Sequence, residues 1–168
     1  MTRRAAILGL GFRGLSWAAA CDASGWLVHG FDPDPQAGKG AWSRDWRREG
    51  TISATVARAD WVFCCLPERL ELVRAVLRRA QVEAPREAVL AVSSSGFDLD
   101  TLQSCVAHPG QVIRLNVAPE GGVAADLSDQ NPRDLRRVAQ SGIAELAAIL
   151  SLEPPRDSGA QLGDAESA

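Results

Sequence analysis

The 168-residue chain has a single lysine, Lys39, only two histidines, His29 and His108, and no excess of positive charge: 18 basic residues stand against 21 acidic ones, a formal net charge of -3. Proteins that bind polyanions concentrate Lys and Arg on one face, so nucleic acid is not an expected partner. No stretch approaches the ~20 apolar residues of a membrane helix, and the opening Met1, Thr2, Arg3, Arg4 leads into a strand rather than a secretory signal. The expectation is a cytoplasmic protein with no membrane partner. The four cysteines, Cys21, Cys64, Cys65 and Cys105, form no CxxC pair and have no histidine at metal-ligand spacing. No activating base stands near any of them in sequence, which predicts buried thiols and no metal site.

What is present is an ordinary soluble composition, 46% hydrophobic and 23% charged, close to the globular average. A chain of ~150 residues buries roughly 70% of its extended surface as one domain, so one domain over 1–155 and a flexible polar tail over 156–168 are expected. Short apolar runs alternate with segments of helical period, the pattern of an α/β fold with a doubly wound, mostly parallel sheet. Strands are predicted at 5–8, 26–31, 61–66, 88–92 and 112–117, the last being the final plausible strand. Helices are predicted at 11–23, at 68–82 and from an Asp98 cap through Val106, with a closing helix from Asn131-Pro132 to about 152. The stretch 36–50 reads as an irregular connection, and 51–55 as a short extended piece.

The sharpest motif is Gly9-Leu10-Gly11-Phe12-Arg13-Gly14, set directly after a strand and opening a helix. In such a turn the first glycine permits the bend, the second lets a pyrophosphate approach the backbone, and the third lets the helix pack on the strand. Asp32 follows at the end of the second predicted strand, at the spacing of a carboxylate that accepts hydrogen bonds from an adenosine ribose. It should also repel a 2′-phosphate, favouring NAD over NADP, unless Arg44, Arg47 or Arg48 folds back to reverse that choice. The bland alternative is that the glycines serve a tight turn and Asp32 ends a strand. The motif and its context predict a Rossmann-like NAD-binding domain with Gly9, Leu10, Gly11, Phe12, Arg13, Gly14 and Asp32 at the cofactor.

Several further stretches are similar to the N-terminal domain of 3-hydroxyacyl-CoA dehydrogenases, a family that includes 3-hydroxybutyryl-CoA and carnitine dehydrogenases. They are Ala59-Asp60, the run from Leu66-Pro67-Glu68 to Leu72, the block from Ala91-Val92 through Ser93-Ser94-Ser95 to Gly96-Phe97, His108-Pro109, and the closing run 150–155. The resemblance implies an oxidoreductase of fatty acid metabolism acting on a hydroxyacyl thioester or related hydroxy acid. It places Glu68 beside the nicotinamide ribose and Ser95 against both the cofactor and the oxygen of the substrate's hydroxyl or carbonyl group. Glu68 as a first-turn helix acid and the serines as turn chemistry are the alternatives.

The same resemblance implies a catalytic histidine, and its place is taken here by Asn116, an amide that cannot act as a general base. The family's partnering glutamate falls on or near Val123, its cofactor lysine aligns with Val73, and its coenzyme A hairpin is reduced to 36–50. Relative to the family, the chain ends where a helical second domain would begin. The expectation is therefore an NAD-binding domain without hydride transfer of its own, working as a homodimer or with a separate helical partner domain. A noncatalytic NAD(H)-sensing module and a degenerate product without a ligand are the alternatives. Gly142, Ile143, Leu146 and Ile149 on the closing helix form a stripe that serves either as the association face or as core.

Overall fold

The computed structural model describes residues 2–117 and 122–150. A seven-stranded sheet runs through the centre in the order β3-β2-β1-β4-β5-β6-β7. Its strands are β1 (Arg4–Leu8), β2 (Leu27–Phe31), β3 (Arg47–Arg48), β4 (Trp61–Cys64), β5 (Val89–Ser93), β6 (Val112–Val117) and β7 (Val123–Asp126). The pairings from β3 to β6 are all parallel and only β7 is antiparallel, meeting β6 with Asn116 opposite Ala124. β4 and β5 are buried along their whole length, as parallel strands covered on both faces must be, so they read as apolar runs without alternation.

The helices are α1 (Phe12–Ala23), α2 (Ile52–Val56), α3 (Leu70–Glu83), α4 (Leu99–Ser104) and α5 (Arg133–Leu150). α1 and α5 cover one face, over a core that contains Ile7, Trp17, Trp26, Trp61, Phe63 and Leu146. α2, α3 and α4 cover the other, over Leu8, Val62, Leu77, Leu90 and Leu102. On the first face the aromatic rings run in a chain: Trp17 stacks on Phe63 at 5.3 Å, Phe63 on Trp61 at 5.6 Å, and Trp26 tilts onto Trp61 at 5.7 Å. Such pairs add roughly 0.5–1.5 kcal/mol each beyond area burial.

The stripe on α5 belongs to this core and is not a free association face. Gly142 is pressed so closely on Trp61 that a Cβ there would meet the indole at 2.5 Å, and Leu146 is 1% exposed. Ile143 and Ile149 pack against the same cluster. Glu145 fixes the helix further, pairing with Arg3 and accepting a hydrogen bond from Trp26 Nε1 at 3.0 Å.

Three expectations are corrected. The segment 51–55 is not extended. The Thr51 hydroxyl accepts from Ala54 N at 3.1 Å and the Thr55 hydroxyl donates to Thr51 O, so local capping outweighs the β-branched composition and α2 forms. α3 begins at Leu70, which leaves Glu68 ahead of the helix rather than in its first turn. β6 is not the last strand, because β7 adds an antiparallel edge. The expected tail over 156–168, together with 151–155, lies outside the described residues.

Candidate functional site

Strand order reverses between β1 and β4: the chain winds outward from β1 through β2 to β3, then returns to β4 on the other side. In open α/β sheets the crevice at the carboxyl ends of the strands at such a switch point is where ligands bind. The glycine turn stands at that point. Gly9 has φ +93°, and a Cβ on it would lie 2.2 Å from Cys65 O; one on Gly14 would lie 1.8 Å from Gly9 O. Both are demanded by the fold itself. Gly11 differs, because a Cβ there would meet nothing within 4 Å. The backbone is bare where nothing among the described residues needs it to be.

Gly11 is also the N-cap of α1, a twelve-residue helix with no side-chain cap and no acidic residue in its first turn. The first N–H groups of a helix lack intrahelical partners and carry its positive end, so the open ground over Gly11 suits an anion such as a diphosphate. Phe12, the next residue, is 67% exposed.

Asp32 follows β2 and faces the same turn. Its Oδ2 accepts from Leu10 N at 2.8 Å and its Oδ1 from Asp34 N at 2.9 Å. One carboxylate thus ties the end of β2 to the glycine turn, and with about four acceptor sites on the group it retains capacity for hydroxyl donors. Among the three arginines able to reverse the nucleotide preference, Arg48 does fold onto this loop. Its terminal nitrogens are spent on Ala37 O at 2.6 Å and Asp34 O at 2.8 Å. Arg47 is 74% exposed and pairs with Glu49, and Arg44 is exposed.

Across the switch point lies a second polar group. Arg13 reaches from the first turn of α1 to donate to Leu66 O at 2.7 Å and Ser93 O at 2.8 Å, with Glu68 3.6 Å away. Glu68 accepts from the Ser94 hydroxyl at 2.9 Å and from Ser95 N at 3.0 Å, and Gly96 allows it close approach. Ser94 is the buried serine and Ser95 the exposed one. Arg114 donates to Ser94 O at 3.1 Å and pairs with Asp126 at 2.7 Å, so β7 also reaches this network. Asn116 is exposed at the end of β6, two residues beyond Arg114 and on the same face of the sheet.

The structure therefore gathers the predicted residues into two groups on either side of the glycine turn, Asp32 on one and Glu68 and Ser95 on the other. The anchoring roles of Arg13, Ser94, Arg114 and Asp126 were not read from sequence. A basic residue between the second and third glycines is the one visible signal.

Residues 47–117 match the sequence family described as "3-hydroxyacyl-CoA dehydrogenase, NAD binding domain". The chain is 36% identical over 129 residues to L-carnitine dehydrogenase/betainyl-CoA thioesterase from Ruegeria pomeroyi, covering 65% of this chain and 26% of that protein. It is 30% identical over 131 residues to L-carnitine dehydrogenase from Streptomyces griseus, covering 66% and 39%. Over residues 47–117 the chain is similar to the NAD-binding domain of the 3-hydroxyacyl-CoA dehydrogenase family.

The fold agrees. The solved structure of (S)-3-hydroxybutyryl-CoA dehydrogenase from Ralstonia eutropha superimposes with a TM-score of 0.77 at 14% identity, over 88% of this chain and 62% of that one. The 3-hydroxybutyryl-CoA dehydrogenase from Escherichia coli gives 0.75 at 16% identity, over 87% and 37%. Measured against those two curated relatives, the chain spans about a quarter to two fifths of their length. NAD is the cofactor of this family, and the bare backbone at Gly11 beside an uncapped helix end fits it. The cysteines are all free and buried; burial pushes the Cys65 thiol up to about 12 although the Arg13 charge pulls it down. Among the described residues no cluster of His, Cys, Asp and Glu could hold a metal ion, and no helix is long and apolar enough to cross a membrane.

Proposed function

We propose that the chain holds NAD in the crevice between β1 and β4 and does not transfer hydride on its own. In this reading the amide groups at the start of α1 take the diphosphate, Gly11 lets it approach, and Asp32 accepts hydrogen bonds from the adenosine ribose. Glu68 and Ser95 line the side of the crevice toward the nicotinamide. When bound, the coenzyme supplies a hydride acceptor for oxidation of a hydroxyl group, and the relatives point to a hydroxyacyl thioester or a related hydroxy acid as its source.

The observation that carries the binding half is Gly11: its missing side chain leaves open space that none of the described residues occupies. The observation against independent turnover is Asn116. Oxidation of a hydroxyl needs a base for its proton, and an amide neither takes nor releases one near neutrality. Neither histidine fills the gap, since His29 pairs with Glu49 in mid-strand and His108 precedes the Pro109–Gln111 turn at the amino end of β6. Turnover then requires a second contributor, a helical partner domain or another copy of the chain, to bring the base.

Calorimetric titration with NAD and a nicotinamide absorbance assay with 3-hydroxybutyryl-CoA test both halves. Saturable binding without turnover is expected. Absence of binding would remove the first half, and turnover at ordinary enzyme rates by the isolated chain would remove the second.

A further inference from the structure

Arg13 occupies the slot between the second and third glycines, and both terminal nitrogens of its guanidinium are hydrogen-bonded. One terminal nitrogen donates to Leu66 O, beyond the end of β4, the other to Ser93 O, the last residue of β5, and Glu68 balances the charge at 3.6 Å. The side chain thus crosses from the first turn of α1 over the carboxyl ends of the two strands beyond the switch point. Glu68 is itself held by the Ser94 hydroxyl and Ser95 N, and Ser94 O is held by Arg114, so the far end of the crossing is braced.

A dinucleotide with its ribose at Asp32 and its diphosphate over Gly11 has its remaining half above those same strand ends. The Arg13 guanidinium spans those ends, bonded to Leu66 O and Ser93 O. To admit a nicotinamide riboside there, Arg13 must surrender two charge-assisted hydrogen bonds and an ion pair, and the displaced cation has the same sign as an oxidised nicotinamide ring. On the Asp32 side Arg48 is instead bonded to the loop carbonyls of Ala37 and Asp34.

We propose that Arg13 guards the nicotinamide half of the crevice, so that affinity is carried by the adenosine diphosphate moiety and the nicotinamide enters only as the guanidinium gives way. The proposal rests on the NAD-binding reading above and narrows it: the ligand class is the ADP-containing nucleotides, and Arg13 is the residue that sets this specificity.

The test is calorimetric titration of the full chain and its Arg13→Met variant with ADP, ADP-ribose and NAD. For the unaltered chain the three dissociation constants should fall within about threefold of one another, and Arg13→Met should tighten NAD about tenfold while leaving ADP within about twofold. Binding of NAD by the unaltered chain more than about tenfold tighter than ADP overturns the proposal, as does a variant whose preference for NAD over ADP is unchanged or lower. The ratio in the unaltered chain decides the matter even if the variant does not fold. Tight NAD with weak ADP removes this proposal alone; no binding of any of the three removes it together with the NAD-binding reading.

Discussion

The glycines of the turn do different work, and substitution separates them. Gly14 faces a carbonyl at a distance no side chain tolerates, 1.8 Å from Gly9 O to a built Cβ. Gly14→Ala should therefore cost about 3 kcal/mol or more, as overpacking of a tight contact does, visible as a lower urea midpoint. Gly11→Val should still fold, at a cost of about 1 kcal/mol or less for the lost glycine N-cap, because its space is open and its φ of -75° is ordinary. These separate demands were readable from the spacing of the motif. The guanidinium bridge of Arg13 was not: its partners are carbonyls of Leu66 and Ser93, which are brought within reach by sheet order rather than by proximity in the chain.

At the scale of elements, composition misled where one local hydrogen bond decided the outcome. Thr51, Ile52, Thr55 and Val56 favour a strand by residue type, yet the Thr51 hydroxyl caps the segment into α2. Thr51→Ala should remove about 1 kcal/mol of stability, read from chemical denaturation. Asp98 was legible as a cap, and its side chain does accept from Thr101 N at 2.8 Å. That backbone hydrogen bond holds its carboxyl below the usual 3.8. A lowered carboxylate stabilises the fold at pH values above its unfolded pKa and ceases to as pH falls through the folded one. Asp98→Asn should therefore flatten part of the loss of stability below about pH 4, measured by urea midpoints across the acid range. β7 was hidden because Val123–Asp126 is short and mixed, with inward Val123 and Ala125 differing little in character from outward Ala124.

For the whole molecule, the parallel sheet and its doubly wound helices were legible because the central strands are unbroken apolar runs between turn residues. The role of α5 was open in the sequence, since one stripe of Gly142, Ile143, Leu146 and Ile149 serves equally well as core or interface; contact with Trp61 makes it core. The same burial governs the response to alkali. Cys21, Cys64 and Cys65 all have thiols raised above the ordinary 9.0, chiefly by desolvation. Their neutral forms persist in the folded chain while the unfolded chain ionises, so stability is intact below about pH 9 and falls as pH rises beyond it. Urea midpoints at pH 8 and pH 10.5 should show that fall, and aromatic disulfide reagents should leave these three thiols untouched in the native state near pH 8.

The assignment of the crevice depends on a diphosphate over Gly11 and a ribose on Asp32, and calorimetric titration of NAD into the chain and its Asp32→Ala and Gly11→Val variants tests both contacts together. Each substitution should weaken binding by about tenfold or more, the loss of a charge-assisted hydrogen bond in one case and steric exclusion in the other, with the variants shown folded by circular dichroism. Folded variants that bind NAD as tightly as the parent would contradict the account.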